Sequence, residues 1–212
     1  QVFPLVWDAK ALPQASDGRV LDKFAARLTT FLFVGRIAPN KKIETLIETF
    51  CWYQKTLQPF SRLLLVGSDR SCPRYYAMLR MLAGDFDLPN VCFEGFASPE
   101  GLATYYRVAD AFVTTSEHEG YCLPLLEAMQ MGVPVVAPDR GGMPEAMDGA
   151  GVLYQDLPSA ELACLLHRIV EDKALRAHVL DSQAKRMARA RQRDIPSELR
   201  FLLAQLDAVA AV

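Results

Sequence analysis

The chain has 212 residues, and its 23 Lys and Arg residues nearly balance its 25 Asp and Glu residues, for a formal net charge of −2. This balance excludes a protein that binds nucleic acid mainly by electrostatic attraction. With 51% apolar residues the chain can bury a sizeable core, which predicts one or two globular domains rather than disorder. No apolar run approaches the ~20 residues needed to cross a bilayer, and no charged-then-apolar leader opens the chain. We therefore expect a cytoplasmic protein without a transmembrane segment.

Five scattered cysteines stand at positions 51, 72, 92, 122 and 164. They form no C-x-x-C pair, and no His lies near them at metal-ligand spacing. We predict reduced thiols and no metal site. The alternative, a secreted disulfide scaffold, is typical of shorter chains that are denser in cysteine.

Six short apolar runs predict buried parallel strands, and helical patterns lie between them. The predicted strands are Phe31–Gly35, Leu63–Gly67, Val91–Gly95, Ala111–Ser116, Val133–Pro138 and Gly151–Tyr154. Apolar residues at helical spacing follow the first three strands, starting at Ile43, Tyr75 and Leu102. Alternating strands and helices of this kind predict a Rossmann-like α/β fold with a doubly wound parallel sheet.

From Pro158 onward the pattern predicts a helical tail. Leu162, Leu165, Leu166 and Ile169 form one apolar stripe, and Leu199, Leu202, Leu203 and Leu206 form another after a break at Pro196. Between the stripes lies a basic run: Lys185, Arg186, Arg189, Arg191 and Arg193. We interpret this run as a solvated helix face, with contact to acidic lipid or a partner as the alternative.

In a doubly wound sheet, ligands bind beyond the carboxyl ends of the strands. The loop after the first predicted strand, Gly35–Lys42, carries Arg36 and Lys41 close to the start of a helix. Two cations beside a helix N-terminus suit a phosphate group, because Arg grips two oxygens and Lys supplies a mobile charge. Two exposed basic residues without a ligand are the alternative.

A second group of polar residues follows the fourth predicted strand, in Ser116–Met129. Pro124 is expected to be the first residue of a helix, with free N–H groups nearby facing the same edge. Glu119 lies in the loop, and Glu127 follows eight positions later near the helix start. Paired carboxylate oxygens suit the vicinal hydroxyls of a ribose or hexose. Separately, each Glu is also explained as a solvated or helix-stabilising acid.

The sequence resembles a known family in four segments, which have the order and spacing of that family. The segments are VGRIAPNKK, SEHEGYCLPLLEAM, GVPVVAPDRGGMPE and AGVLY. They resemble the retaining, nucleotide-sugar-dependent glycosyltransferases of the GT-B fold, in the group called GT4. The resemblance covers nearly the whole chain, and its E-x7-E element, Glu119 with Glu127, is specific. It implies a hexosyltransferase that uses a nucleotide diphosphate sugar and works without a metal or other cofactor.

The resemblance also implies residue roles. Arg36 and Lys41 are expected to bind the donor diphosphate and stabilise charge on the leaving nucleotide. Glu127 is expected to hold the ribose, and Glu119, the third predicted catalytic residue, a hydroxyl of the donor sugar. The remaining implied donor contacts are Gly35, Phe96, Ala97, Gly120, Tyr121, Cys122 and Leu123, with the Gly95–Ala97 loop meeting the base.

Two positions depart from the commonest pattern of the family. Cys122 stands where many relatives have Gly, and Lys42 where Gly is frequent. We interpret Cys122 as a buried inert thiol, since no base is evident nearby, and His118 as a loop residue that forms hydrogen bonds. These departures bear on the preference for the donor rather than on the reaction.

The recognised motifs all belong to the carboxyl-terminal, donor-binding domain of a two-domain architecture. We expect an interdomain segment at 1–26, beginning with Gln1–Val6, then the nucleotide-sugar-binding domain at 27–195 and a C-terminal helix at 196–212. A glycan or lipid-linked acceptor would bind through the amino-terminal domain, which we expect to be missing from this chain. We therefore expect donor binding with little sugar transfer by the chain alone, and peripheral membrane contact remains open for the full-length enzyme.

The same residues bear on other classes of function. A dinucleotide-binding dehydrogenase would need G-x-G-x-x-G after a strand, and Gly141–Gly142 has no third glycine at the required offset. A non-catalytic nucleotide-binding module and an epimerase or phosphorylase of the GT-B fold stay open.

Overall fold

The computed structural model describes residues 12–201 of the chain. The predictions for 1–11 and 202–212 lie outside the described residues, including those for Gln1–Val6 and for the leucines at 202, 203 and 206. None of the helices in residues 12–201 has the length and apolar character needed to span a bilayer.

Six parallel strands form one sheet in the order β3-β2-β1-β4-β5-β6. The strands are β1 Thr29–Val34, β2 Ser61–Val66, β3 Val91–Gly95, β4 Ala111–Val113, β5 Val135–Pro138 and β6 Val152–Tyr154. The strand order reverses between β1 and β4, which creates a crevice at their carboxyl ends. All six predicted strands and the doubly wound, Rossmann-like fold class are confirmed.

Helices cover both faces of the sheet. They are α1 Gly18–Lys23, α2 Ile43–Thr56, α3 Pro73–Asp85, α4 Pro99–Val108, α5 Leu123–Gln130, α6 Met143–Met147, α7 Ser159–Glu171 and α8 Lys173–Arg191, with a 3₁₀ turn at Pro39–Lys41. The core on one face receives α1, α4, α5 and α6, and the core on the other receives α2, α3 and α7. Strand side chains alternate between the cores, as Leu32 and Phe33 do.

β4 ends three residues earlier than predicted, at Val113. Beyond it, the Ser116 amide donates to Thr114 Oγ1 at 3.3 Å, and the two hydroxyl oxygens lie 2.8 Å apart. These local side-chain bonds replace the strand pattern. The apolar character of a sequence does not reveal them, which explains the error.

The helical tail from Pro158 is confirmed as far as residue 201, but it is interrupted. The Asp172 carboxylate accepts hydrogen bonds from the Ala174 and Leu175 amides and so begins α8 as a new helix. Helical residues resume at 195 and continue to 201, so the second break lies just before Pro196. The leucine and isoleucine stripe predicted between 162 and 169 lies against the core, with only Leu165 partly exposed.

The basic run is not a uniformly solvated face, so that prediction is wrong in part. Arg186 is buried and donates from Nε to the Ala146 carbonyl at 3.2 Å. Arg189 forms an ion pair with Asp148 at 2.9 Å. These bonds fasten α8 to α6, because the acidic partner lies just after α6 in sequence.

Part of the segment expected to lie between domains is folded onto the Rossmann-like domain, against α4 and β3. The Arg107 guanidinium donates hydrogen bonds to the carbonyls of Pro13, Gln14 and Ala15 at 2.8–2.9 Å. Lys23, at the end of α1, forms an ion pair with Glu94 of β3 at 2.7 Å. The predicted domain boundaries stay a prediction.

Candidate functional site

The loops after β1, β2 and β3 are in direct contact at the carboxyl edge of the sheet. The Gly67 amide donates to the Gly95 carbonyl at 2.7 Å. A Cβ atom on Gly67 would lie 1.8 Å from the Gly35 carbonyl oxygen, so this approach requires glycine. The first two strands therefore end in a close backbone contact rather than in independent tight turns.

The loop that carries Lys41 is joined to the loop after β4. The Glu117 amide donates to the Asn40 carbonyl at 3.0 Å, and Thr115 Oγ1 donates to the Lys42 carbonyl at 2.7 Å. Residues separated by more than 70 positions in sequence thereby form one structural unit beside the switch point between β1 and β4.

Lys41 and Glu119 form the central ion pair of this unit. Their Nζ and Oε1 atoms are 2.5 Å apart, and the side chains are 12% and 13% exposed. Ser116 Oγ donates to the same oxygen at 3.0 Å. The Coulomb interaction of such a pair is stronger than at an exposed surface, because little water separates the charges.

Arg36 occupies the same loop but has a different environment. Its side chain is exposed, and it makes no hydrogen bond or ion pair within residues 12–201. Neighbouring Lys42 points elsewhere and pairs with Glu117 at 3.2 Å. The site therefore has one cation held by a carboxylate and one whose five N–H donors are free for a ligand.

Glu127 lies on α5, in its second turn rather than its first, so stabilisation of the first turn does not explain this acid. Tyr106 Oη, which is fully buried on α4, donates to Glu127 Oε2 at 2.8 Å. Burial raises the pKa of Glu127, and the Tyr106 hydrogen bond opposes this shift. Burial and the nearby carboxylate raise the pKa of Tyr106 well above its usual value, so it remains a hydrogen-bond donor.

Replacement of Glu127 by Gln is expected to raise the free energy of unfolding at pH 7 by about 1 kcal/mol. The pKa of Glu127 is higher in the folded state than in the unfolded state, so the folded protein binds more protons at pH values between the two. Wild-type stability therefore falls as pH rises from the unfolded pKa through the folded pKa. Gln keeps an oxygen for Tyr106 and removes the charge. Thermal unfolding between pH 4 and 8 measures this difference.

Glu94→Gln is the matched control, since the Glu94 carboxylate is 6% exposed but paired with Lys23. Loss of that ion pair should lower stability. A Glu127→Gln variant that is less stable than wild type at neutral pH would contradict the expectation.

Cys122 is the N-cap of α5 and has left-handed backbone angles, with φ of 54°. Its thiol is buried, and burial together with the Glu119 carboxylate raises its pKa to about 12. The prediction of an unreactive thiol agrees with these surroundings. All five cysteines are free.

The start of α5 differs from the prediction in two details. The helix begins at Leu123, so Pro124 is its second residue. The N–H groups near Pro124 that were expected to be free include the Leu125 amide, which donates to the Cys122 carbonyl at 3.0 Å.

The other predicted contacts lie around the same edge. Phe96, after β3, is 86% exposed, and Leu123 is 41% exposed. Ala97 and Tyr121 are partly buried against the core, and Gly120 is exposed. The His118 side chain is exposed, while its carbonyl accepts a hydrogen bond from Asn40 Nδ2 at 3.4 Å.

Gly141 and Gly142 are site residues that the sequence analysis did not identify. The Gly142 amide donates to the Glu119 carbonyl at 2.9 Å. A Cβ atom on Gly142 would lie 1.7 Å from the Gly120 carbonyl oxygen, and one on Gly141 2.7 Å from that of Glu119. The loop after β5 thus supports the Glu119–Gly120 backbone. The sequence signal for this contact is the pair of adjacent glycines.

Within residues 12–201, no group of three or more His, Cys, Asp and Glu side chains is arranged to hold a metal ion. The charged residues predicted to bind the ligand at this edge are Arg36, Lys41, Glu119 and Glu127. Together with the exposed Phe96, they suit a ligand that combines anionic, hydroxyl and aromatic groups.

A Rossmann-like domain with these groups at its switch point is a nucleotide-binding type of fold. The chain belongs to the glycosyl transferases group 1 family, whose model matches residues 23–187. The serotype-specific mannosyltransferase WbdA of Escherichia coli is 27% identical over 170 residues, which are 77% of this chain and 21% of WbdA. The chain therefore spans about a fifth of the length of that relative.

Two solved structures show the same fold. Sucrose-phosphate synthase from Thermosynechococcus elongatus matches with a TM-score of 0.77 and 28% identity, over 97% of this chain and 52% of that one. HepE of Anabaena in complex with UDP-glucose matches with a TM-score of 0.75 and 22% identity, over 95% and 56%. The chain thus corresponds to one half of the GT-B architecture, as predicted.

Proposed function

We propose that this chain is the donor-binding domain of a retaining GT4-type glycosyltransferase, which transfers a hexosyl group from a nucleotide sugar. The Lys41–Glu119 pair at the switch point carries the proposal, because it places a cation and a hydroxyl-binding carboxylate side by side. A nucleotide sugar presents a diphosphate directly next to sugar hydroxyls.

Arg36 and Lys41 bind the donor diphosphate. Both stand after β1, and the exposed Arg36 guanidinium can grip two phosphate oxygens at once. Charge develops on the diphosphate as the sugar leaves, and fixed cations stabilise it. In this proposal the two side chains neutralise that charge, so the reaction requires no resident metal or cofactor.

The two glutamates bind hydroxyls on either side of the diphosphate. Glu127, held by Tyr106, accepts hydrogen bonds from the ribose, and Glu119 accepts one from the donor sugar. The loop with Phe96 and Ala97 meets the base. The backbone of Gly120–Leu123 meets the sugar and phosphates.

In this proposal the acceptor, a glycan or lipid-linked saccharide, binds through a second domain. The enzyme is cytoplasmic, and the second domain also makes any peripheral contact with the membrane. The chain matches only about half of each solved structure, which supports a two-domain enzyme. The isolated chain then binds donor with little transfer.

Calorimetric titration with UDP, GDP and ADP tests the proposal. Saturable binding of one nucleotide at a 1:1 ratio is expected, and it identifies the base. Absence of binding by all three, or equal weak binding that salt removes, would contradict a donor site.

A further inference from the structure

Ser116 is a buried polar residue in the site to which the family resemblance gives no role. Its Oγ lies 2.8 Å from Thr114 Oγ1 and 3.0 Å from Glu119 Oε1, and its side chain is fully buried. An ionised carboxylate can only accept hydrogen bonds. Ser116 therefore donates to Glu119, and its own oxygen accepts from Thr114.

Both strong donors to Glu119 meet the same oxygen. Lys41 Nζ lies 2.5 Å from Oε1, and Ser116 Oγ lies 3.0 Å from it. A carboxylate oxygen has about two lone-pair sites, so these bonds saturate Oε1. The carboxyl group is thereby fixed in rotation. The Cys122 thiol, a weaker donor, also bonds this carboxyl group, and Oε2 keeps the capacity to accept from a ligand.

The two donors differ in how firmly they can hold the carboxylate. Lys41 bears a mobile ammonium on a four-carbon stem, and the proposed function draws it toward the diphosphate. The Ser116 side chain is short, and Thr114 orients the Ser116 hydroxyl. Ser116 is therefore the donor that stays on Glu119 while Lys41 also contacts phosphate.

We propose that Ser116 is a positioning residue, which with Thr114 fixes the Glu119 carboxyl so that Oε2 receives a hydroxyl of the donor sugar. This inference rests on the proposed function, since it concerns the sugar part of the same donor. Its consequence is specific: Ser116 affects the contribution of the sugar to binding and leaves that of the nucleotide unchanged.

The test compares the affinity for UDP with that for UDP-glucose, and for GDP with GDP-mannose, in wild type and Ser116→Ala. We expect about a tenfold loss of affinity for the nucleotide sugar and less than a twofold change for the nucleotide. Ser116→Thr, which keeps a hydroxyl, should restore the sugar contribution. Ser116→Cys keeps the volume with a weaker donor and provides the same test if the alanine variant does not fold.

Ser61→Ala is the matched control. Ser61 is equally buried, but it lies at the amino-terminal end of β2, where its hydroxyl donates to the Gln58 carbonyl. This variant should leave both affinities unchanged. Equal losses for nucleotide and nucleotide sugar in Ser116→Ala, or no loss for either, would overturn the positioning role while nucleotide binding by wild type upholds the proposed function. If wild type binds none of the four compounds, the proposed function fails first.

Discussion

Replacement of both Arg36 and Lys41 by alanine is expected to weaken nucleotide diphosphate binding at least 100-fold. Each cation forms charge-assisted hydrogen bonds with the diphosphate in our proposal, and one such bond contributes about 1.5–3 kcal/mol. Removal of both also leaves Glu119, only 13% exposed, without its ammonium partner. Its negative charge then repels the ligand. Calorimetry with the nucleotide that binds wild type measures the loss.

Lys42→Asn is the control for this variant. Lys42 follows Lys41 directly, but its ammonium group pairs with Glu117, and its φ of 49° is one that Asn tolerates. It should keep nucleotide affinity within about twofold. A similar loss from Lys42→Asn and from the double variant would indicate nonspecific attraction and contradict a defined phosphate site.

Gly142→Ala is expected to produce the largest structural effect. The added Cβ would lie 1.7 Å from the Gly120 carbonyl oxygen, so the two loops must separate. Overpacking of this kind typically costs about 1–3 kcal/mol. The Gly142 hydrogen bond to the Glu119 carbonyl is then lost too, and donor affinity should fall about tenfold or more.

Gly84→Ala provides the matched control, measured by thermal unfolding and nucleotide titration alongside Gly142→Ala. Gly84 lies in α3, and a Cβ atom there would meet nothing within 4 Å. This variant should gain about 0.5–1 kcal/mol, because alanine favours the helix. A Gly142→Ala variant with wild-type stability and wild-type affinity would show that the loop after β5 does not support the site.

The strands and their order along the chain could be predicted because a buried parallel strand leaves a continuous apolar run. Leu63, Leu64 and Leu65 of β2 are almost fully buried, as this pattern requires. The main helices could be predicted because their apolar residues repeat along one face. These signals are local, so they can be detected in a single sequence.

Contacts between distant residues could not be predicted in the same way. Tyr106 fits the apolar face of a helix, and nothing in its neighbourhood indicates a bond to Glu127, 21 positions later. Arg186 belongs to a basic run, and its burial depends on how α8 crosses α6. Such pairings depend on packing between elements, which leaves no periodic signal in sequence.

The two departures from the family pattern acquire a physical meaning in the structure. Lys42 and Cys122 both have positive φ, 49° and 54°, where glycine is favoured. A side chain in this region costs about 1–2 kcal/mol. Both residues are helix N-caps, so this chain retains strained caps at the starts of α2 and α5.

The most direct test of the donor-site account is an amide NMR titration of the isotopically labelled chain with the nucleotide that binds it. We predict that saturating shifts cluster in residues 35–42, 95–98 and 116–127, at the carboxyl edge of the sheet. Shifts at the opposite edge, around Arg62 and Asp110, or no shifts at any nucleotide concentration, would contradict the account.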